Sequence, residues 1–132
     1  MLAISPQQTI YFATQPTDMR KGFDGLFALA QEHLGHDPLA GGVFVFVNRR
    51  RDRLKLLAWE GDGLAIYYRR LEQGTYQFPS VDASKPSVRL SATDLSLILG
   101  RIDLTSVKRR KRYQSPKTSL SSSKQQPVTS SS

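Results

Sequence analysis

The chain has 132 residues, a net charge of +8 and no cysteine. Without cysteine it can have no disulfide framework, no thiolate metal site and no cysteine nucleophile. No apolar run approaches the roughly 20 residues that cross a bilayer, and residues 1–8 lack the basic start and apolar stretch of a secretory signal. We therefore expect a cytoplasmic protein that makes no use of a membrane.

The positive charge is concentrated near the end of the chain. Residues 1–105 carry 12 Lys and Arg against 11 Asp and Glu, whereas residues 106–132 carry 7 basic side chains and no acidic one. The high isoelectric point thus describes the last part of the chain and is poor evidence that the folded part binds nucleic acid. Local clusters of basic side chains have to support that conclusion.

The first third of the chain predicts a short strand followed by a helix. Residues 9–13 are typical of a strand, and Thr17 or Asp18 can cap the helix that follows. Apolar residues then recur at the spacing of one buried helical face, which predicts a helix over 17–34 that ends at Gly35. The members of this apolar stripe are Met19, Phe23, Leu26, Phe27, Ala30 and Leu34.

The middle of the chain predicts an antiparallel meander. Residues 43–47 form an unbroken apolar run, which is typical of a central strand buried on both faces. Residues 53–59 and 64–70 form two further strands. The connections at 48–52 and 60–63 are short and polar, and short connections favour antiparallel neighbours.

The last third predicts an edge strand, a loop and a second helix. Residues 76–79 form the edge strand, because Pro79 has no backbone N–H to donate and suits an edge better than a centre. Residues 81–87 form the loop. Ser91 and Asp94 have the spacing of a capping box at the start of a helix that Gly100 ends.

These elements predict one α+β domain over residues 1–105. Its core is a small antiparallel β-meander of three to five strands with two helices packed on it. Residues 106–132 begin with a basic cluster and continue as a serine-rich tract with few large apolar side chains. Such a composition cannot offset the entropy of ordering, so we expect a disordered tail.

Several motifs resemble the small accessory proteins of IS66-like bacterial insertion sequences, the TnpB-type product that is distinct from the RNA-guided nuclease of the same name. The resemblance covers roughly four fifths of the chain in order. Arg51 stands where the family's Arg-Arg-Gly-Asp turn has glycine. The signature residues that carry the resemblance most clearly are Pro16, Asp18, Met19, Arg20, Lys21, Gly22, Trp59, Gly61, Asp62 and Gly63.

The resemblance implies a role beside a separate, larger transposase. It therefore implies a protein with no catalytic residue, metal or cofactor of its own, whose partners are DNA, the transposase or other proteins of the same element. It says nothing about oligomeric state.

Two basic clusters are candidate nucleic-acid contacts. The turn at 48–53 places four arginines within five positions, and guanidinium groups match phosphate oxygens. The same turn would also be expected on a merely solvated hairpin tip. The second cluster opens the tail and is typical of a nonspecific nucleic-acid arm. The turn contributes Arg49, Arg50, Arg51 and Arg53, and the tail contributes Lys108, Arg109, Arg110, Lys111 and Arg112.

A sheet face is the third candidate. Strand alternation can place Trp59 and Tyr67 on one face with Lys55, Arg69 and Arg53, and aromatic side chains among cations are typical of single-stranded DNA platforms. The alternative is that the two aromatic rings pack beneath the second helix, with the charged groups at the rim. A register shift of one residue would regroup the whole set.

An acidic cluster is the last candidate. Glu60 and Asp62, with Asp18 or Asp24, could hold a divalent metal for phosphodiester chemistry. Carboxylates in a glycine-rich turn more often serve the turn itself.

Taken with the resemblance, these candidates lead us to expect a non-catalytic accessory protein of transposition that contacts DNA, the transposase or both. The alternatives are a protein–protein adaptor without DNA binding and a small metal-dependent nuclease.

Overall fold

The computed structural model describes residues 7–100 and the backbone of residues 102–103. The predicted tail at 106–132 lies outside the described residues. The described elements, in chain order, are β1 (Ile10–Ala13), α1 (Phe23–Ala28), a π-helical turn (Leu29–His33), a 3₁₀ turn (Pro38–Ala40), β2 (Val43–Val47), β3 (Arg53–Trp59), β4 (Leu64–Arg70), β5 (Thr75–Tyr76), β6 (Ser87–Leu90), α2 (Ala92–Gly100) and β7 (Ile102–Asp103).

The main sheet has five strands in the order β4-β3-β2-β1-β6. Its β2–β3–β4 part is the predicted antiparallel meander, with Phe44 opposite Leu57 and Leu57 opposite Ile66. The wholly antiparallel sheet that we expected is wrong in one place, because β1 runs parallel to β2. A parallel pair needs a long crossover, and the segment with α1 supplies it. The sheet is therefore mixed, and the α+β class is confirmed.

Each face of the sheet carries one helix. All five residues of β2 are buried, as expected for a central strand covered on both sides. On one face Leu95 and Ile98 of α2 join the core. On the other face Leu26 of α1 and Ala30 of the π-helical turn do so. The side chains of β3 alternate between these two cores. Each residue of β3 therefore faces either α1 or α2.

The first helix is shorter than the sequence predicts. It begins at Phe23, with Gly22 as the residue before it, and the segment 17–22 forms a loop instead of helical turns. The Asp18 side chain accepts a hydrogen bond from the Arg20 backbone N–H at 2.9 Å, so its capping chemistry closes a local turn. The chain continues from α1 into the π-helical turn Leu29–His33, and this helical segment ends as expected before Gly35, which has a φ of 76°.

The apolar stripe also needs correction at its first turn. Leu26 and Ala30 are fully buried, whereas Phe23 is 50% exposed. Because the helix starts only at Phe23, this side chain lies at its open end and not over the sheet. Our expectation of a buried Phe23 is therefore wrong.

The sequence missed the other edge of the sheet. Ser87–Leu90 forms β6, which pairs antiparallel with β1, although most of the preceding segment is the loop that we expected. The capping box is confirmed: Ser91 Oγ accepts from the Asp94 N–H at 3.0 Å, and Asp94 Oδ2 accepts from the Ser91 N–H at 3.2 Å. Tyr76 of the predicted edge strand pairs with Ile102 in a separate two-stranded sheet. Over the residues described, the structure contains no helix long and apolar enough to cross a membrane.

Candidate nucleic-acid interface

Asn48 organises the turn between β2 and β3. Its Oδ1 accepts from the backbone N–H groups of Asp52 and Arg53 at 3.1 and 3.0 Å, and its Nδ2 donates to Asp52 Oδ1 at 2.7 Å. The Arg51 N–H also donates to the Asn48 carbonyl at 3.1 Å. One side chain thus holds both ends of the turn, while Arg49 and Arg50 at its tip stay exposed.

Arg51 points away from the other turn arginines. Its guanidinium carbon lies 5.7 Å from the centre of the Phe78 ring, and its carbonyl accepts from the Tyr76 N–H at 2.8 Å. Its φ of 62° is in the left-handed region that favours glycine. The four arginines therefore do not form one cluster, because Arg51 contacts Tyr76 of β5 and Phe78 instead.

The backbone at Arg51 gives a stability prediction. We expect the free energy of unfolding of Arg51→Gly to exceed that of Arg51→Ala by roughly 0.5–1 kcal/mol, because only glycine adopts this φ without a steric cost. Both variants lose the contact with Phe78, so their difference isolates the backbone. Paired denaturant melts measure it, and an alanine variant at least as stable as the glycine variant would show that the turn is relaxed.

The signature loop, defined as residues 16–22, lies beside this turn. The Thr17 N–H donates to the Val47 carbonyl at 2.8 Å, which ties the loop to the end of β2. Arg20 and Asp18 form an ion pair at 2.7 Å, and the Arg20 side chain is 91% exposed. The hydrogen bonds from Arg20 lower the pKa of Asp18 to about 2, so this carboxylate is ionised at neutral pH.

Lys55 holds the signature loop from within the sheet. Its Nζ donates to the Met19 carbonyl at 2.9 Å and to the Lys21 carbonyl at 2.7 Å, and the residue is only 8% exposed. The same ammonium lies 4.7 Å from the centre of the Tyr68 ring. We had expected Lys55 to contact nucleic acid, but the structure gives it a buried role in shaping the loop.

The signature loop and the turn enclose an open groove of about 420 Å³. We call it the arginine groove. Four arginines and two aspartates are among its walls, so its charge is positive overall. The residues that line it are Thr17, Asp18, Met19, Arg20, Asn48, Arg49, Arg50, Asp52 and Arg53.

The predicted aromatic face is wrong. Tyr67 is opposite Leu56 and packs against the core beneath α2, whereas Trp59 is opposite Leu64 on the α1 side. Trp59 and Tyr67 therefore belong to opposite faces and cannot form one platform. Arg69 lies on the α2 side, where its guanidinium donates to the Leu99 carbonyl at 2.8 Å.

Sequence reasoning passed over Tyr68. This tyrosine is opposite Lys55 in the β3–β4 register and is 46% exposed, so it is the aromatic residue that lies among cations. Tyr68 follows Tyr67 in β4, and neighbouring strand residues point to opposite faces. Its place beside Lys55 follows from the register between β3 and β4, which local sequence patterns do not determine.

The acidic candidates do not meet. Glu60 and Asp62 lie in the exposed turn after β3, whereas Asp18 lies in the groove near Arg53 at the other end of that strand, on the order of 20 Å away. Asp24 lies in the first turn of α1. No group of three potential metal-ligating side chains forms within residues 7–100.

The remaining candidates are placed as follows. The signature glycines Gly61 and Gly63 belong to the same turn as Asp62, and Gly61 has a φ of 92°. The five cations at residues 108–112 lie outside the described part of the chain.

Comparison with known proteins places the chain in a family. The model of the family described as "IS66 Orf2 like protein" matches residues 8–109. Two similar relatives come from Sinorhizobium fredii (strain NBRC 101917 / NGR234). "Uncharacterized protein y4jC" is 38% identical over 110 residues, which cover 83% of this chain and 92% of that protein. "Uncharacterized protein y4hO" is 35% identical over 103 residues, which cover 78% and 88%.

No solved structure matches the chain significantly. The family match extends over more than half of the sequence, and both relatives are covered over most of their length. The signature loop and the arginine turn both lie within the matched residues. The chain therefore belongs to the IS66 Orf2-like family of accessory proteins associated with transposition.

Proposed function

We propose that this protein is a non-catalytic accessory factor of transposition whose arginine groove binds the phosphate backbone of DNA. The observation that carries the proposal is the convergence of Arg20, Arg49, Arg50 and Arg53 on one groove. Guanidinium groups bind phosphate oxygens through paired N–H donors. Such contacts position a protein on DNA without reading bases, so we expect little sequence preference.

The rigidity of the groove supports this function over a merely solvated turn. Asn48 fixes the turn through three side-chain hydrogen bonds, and Lys55 fixes the loop through two. Side chains that stand on an ordered backbone lose less entropy on binding than those of a segment that must first be ordered. The groove therefore favours phosphate binding even in a chain whose last residues are strongly basic.

Removing the two exposed turn arginines tests the proposal. In the full chain, Arg49→Ala with Arg50→Ala should weaken duplex DNA binding to a similar extent for all sequences. The slope of log affinity against log salt should fall by up to about one unit for each phosphate contact removed. Fluorescence anisotropy across a salt series measures both quantities.

A matched control separates the groove from overall charge. Lys85→Ala with Arg89→Ala removes the same charge from exposed positions just before and within β6. This strand is the edge of the main sheet opposite β4. This pair should leave duplex affinity and its salt slope nearly unchanged. Equal losses in the two double variants would assign the affinity to net charge and contradict the groove.

The adaptor alternative uses the same arginines against an acidic surface of the transposase. It predicts that the turn variant keeps its DNA affinity and loses the transposase in a pull-down with purified proteins. That result would replace DNA with a protein as the ligand of the groove.

The separation of the acidic side chains supports a non-catalytic role. We expect no DNA cleavage by the purified protein with Mg²⁺ or Mn²⁺, because metal-dependent phosphodiester chemistry needs converging carboxylates. A plasmid-nicking assay checks this. Nicking that disappears in both Glu60→Ala and Asp62→Ala would favour the nuclease alternative.

A further inference from the structure

Tyr68 presents an aromatic ring beside two cations at the edge of the sheet. The residue is 46% exposed on the edge strand β4. The Lys55 ammonium lies 4.7 Å from its ring centre, and Arg53 Nη1 donates to its hydroxyl at 3.4 Å. The ring is thus held by its neighbours while much of its surface faces solvent.

The ring continues the arginine groove. Arg53 lines the groove and also contacts the Tyr68 hydroxyl, so a single side chain joins the two. Lys55 likewise contacts both the ring and the signature loop that forms the other wall of the groove. A nucleic acid strand whose phosphates lie along the groove would therefore bring its neighbouring nucleotide to Tyr68.

We propose that Tyr68 stacks on an unpaired base of single-stranded DNA whose phosphates lie in the arginine groove. The inference rests on the proposed function and adds a substrate class to it. Aromatic rings beside cationic grooves bind single strands because every base has a stacking face and every nucleotide has a phosphate. In a duplex the bases are stacked on one another and do not offer those faces.

The surrounding charge favours DNA over an apolar peptide as the occupant. The charged groups in contact with the ring, Arg53 and Lys55, are both cations, and the adjoining groove carries more arginine than aspartate. An apolar segment would gain nothing from these charges, whereas a polyanion is attracted to them. The positive surroundings therefore complement a nucleic acid strand.

Three probes of equal length test the proposal with the full chain. They are oligothymidylate, a single strand whose sugars carry no bases, and a duplex. Tyr68→Ala should weaken binding to oligothymidylate by at least about fivefold, the low end for loss of one stacked base. It should leave binding to the abasic strand and the duplex unchanged. Tyr68→Phe, which keeps the ring and removes the hydroxyl, should keep most of the affinity for oligothymidylate.

The other outcomes overturn the inference. Unchanged oligothymidylate affinity in Tyr68→Ala would show that no base stacks there. Equal loss on all three probes would show a general disturbance of the loop through Lys55. Loss of transposase binding with unchanged DNA affinity would assign the ring to a protein partner.

The turn variant distinguishes this failure from failure of the proposed function. If Arg49→Ala with Arg50→Ala weakens binding to all three probes and Tyr68→Ala changes none, the groove stands and the stacking inference fails. If the turn variant binds the duplex as the unmodified protein does, the proposed function itself fails.

Discussion

Leu26→Ala is expected to lower the free energy of unfolding by roughly 2–5 kcal/mol. Leu26 is fully buried in the core between α1 and the sheet, where it packs with Phe44, Phe46 and Leu57. Shortening it removes apolar contacts and leaves a cavity that the strands on one side are too rigid to close. Urea melts followed by circular dichroism measure the change.

Phe23→Ala is the matched control for this effect. Phe23 begins the same helix but is half exposed, so its truncation should cost no more than about 1 kcal/mol. Comparable losses at the two positions would mean that Phe23 is buried in solution. A near-neutral Leu26→Ala would contradict the placement of α1 on the sheet.

Lys55→Met is expected to lower the free energy of unfolding by roughly 1–3 kcal/mol. Methionine fills a similar volume but cannot donate to the carbonyls of Met19 and Lys21, which then lose their hydrogen-bond partner. The signature loop should loosen, so trypsin should cleave after Arg20 or Lys21 faster than in the unmodified protein.

Lys85→Met provides the control, because it makes the same change at an exposed position. It should leave both stability and trypsin cleavage near Arg20 unchanged. A more stable Lys55→Met would show that removing the buried ammonium from a low-dielectric site outweighs its two hydrogen bonds. The lysine would then be kept for the shape of the loop and not for stability.

Local chemistry explains what the sequence predicted well. The apolar run at 43–47, the short polar connections and the Ser91 capping box each depend on neighbouring residues alone. They correctly predicted the meander and the start of α2. The exposed tip of the arginine turn followed in the same way, because Arg49 and Arg50 are carried by a short polar connection.

Long-range pairing explains what the sequence did not predict. Thr17 and Asp18 have the chemistry of a helix cap, but this segment is held as a loop. The Thr17 N–H donates to the Val47 carbonyl, and the Lys55 ammonium donates to the Met19 carbonyl. Lys55 looked solvent-exposed because it interrupts an apolar strand, and its two carbonyl acceptors come from more than thirty residues away. No local pattern reports such partners.

Strand register had the same consequence for the site. Pairing of Lys55 with Tyr68, and not with Tyr67, decides which aromatic ring lies among cations. Both tyrosines are adjacent in sequence and point to opposite faces. The arginine groove itself needed the pairing of β1 with β2, because that pairing brings the signature loop beside the turn.

Photo-crosslinking from single cysteines tests the central claim most directly. The chain has no cysteine, so Arg50→Cys and Arg89→Cys each provide one site for a thiol-reactive photo-crosslinker. Each variant loses one arginine, and the two positions lie in the arginine groove and on the far edge strand β6. If the groove binds DNA, irradiation should crosslink labelled duplex efficiently from position 50 and only weakly from position 89. Equal yields at the two positions, or a higher yield at position 89, would contradict the account.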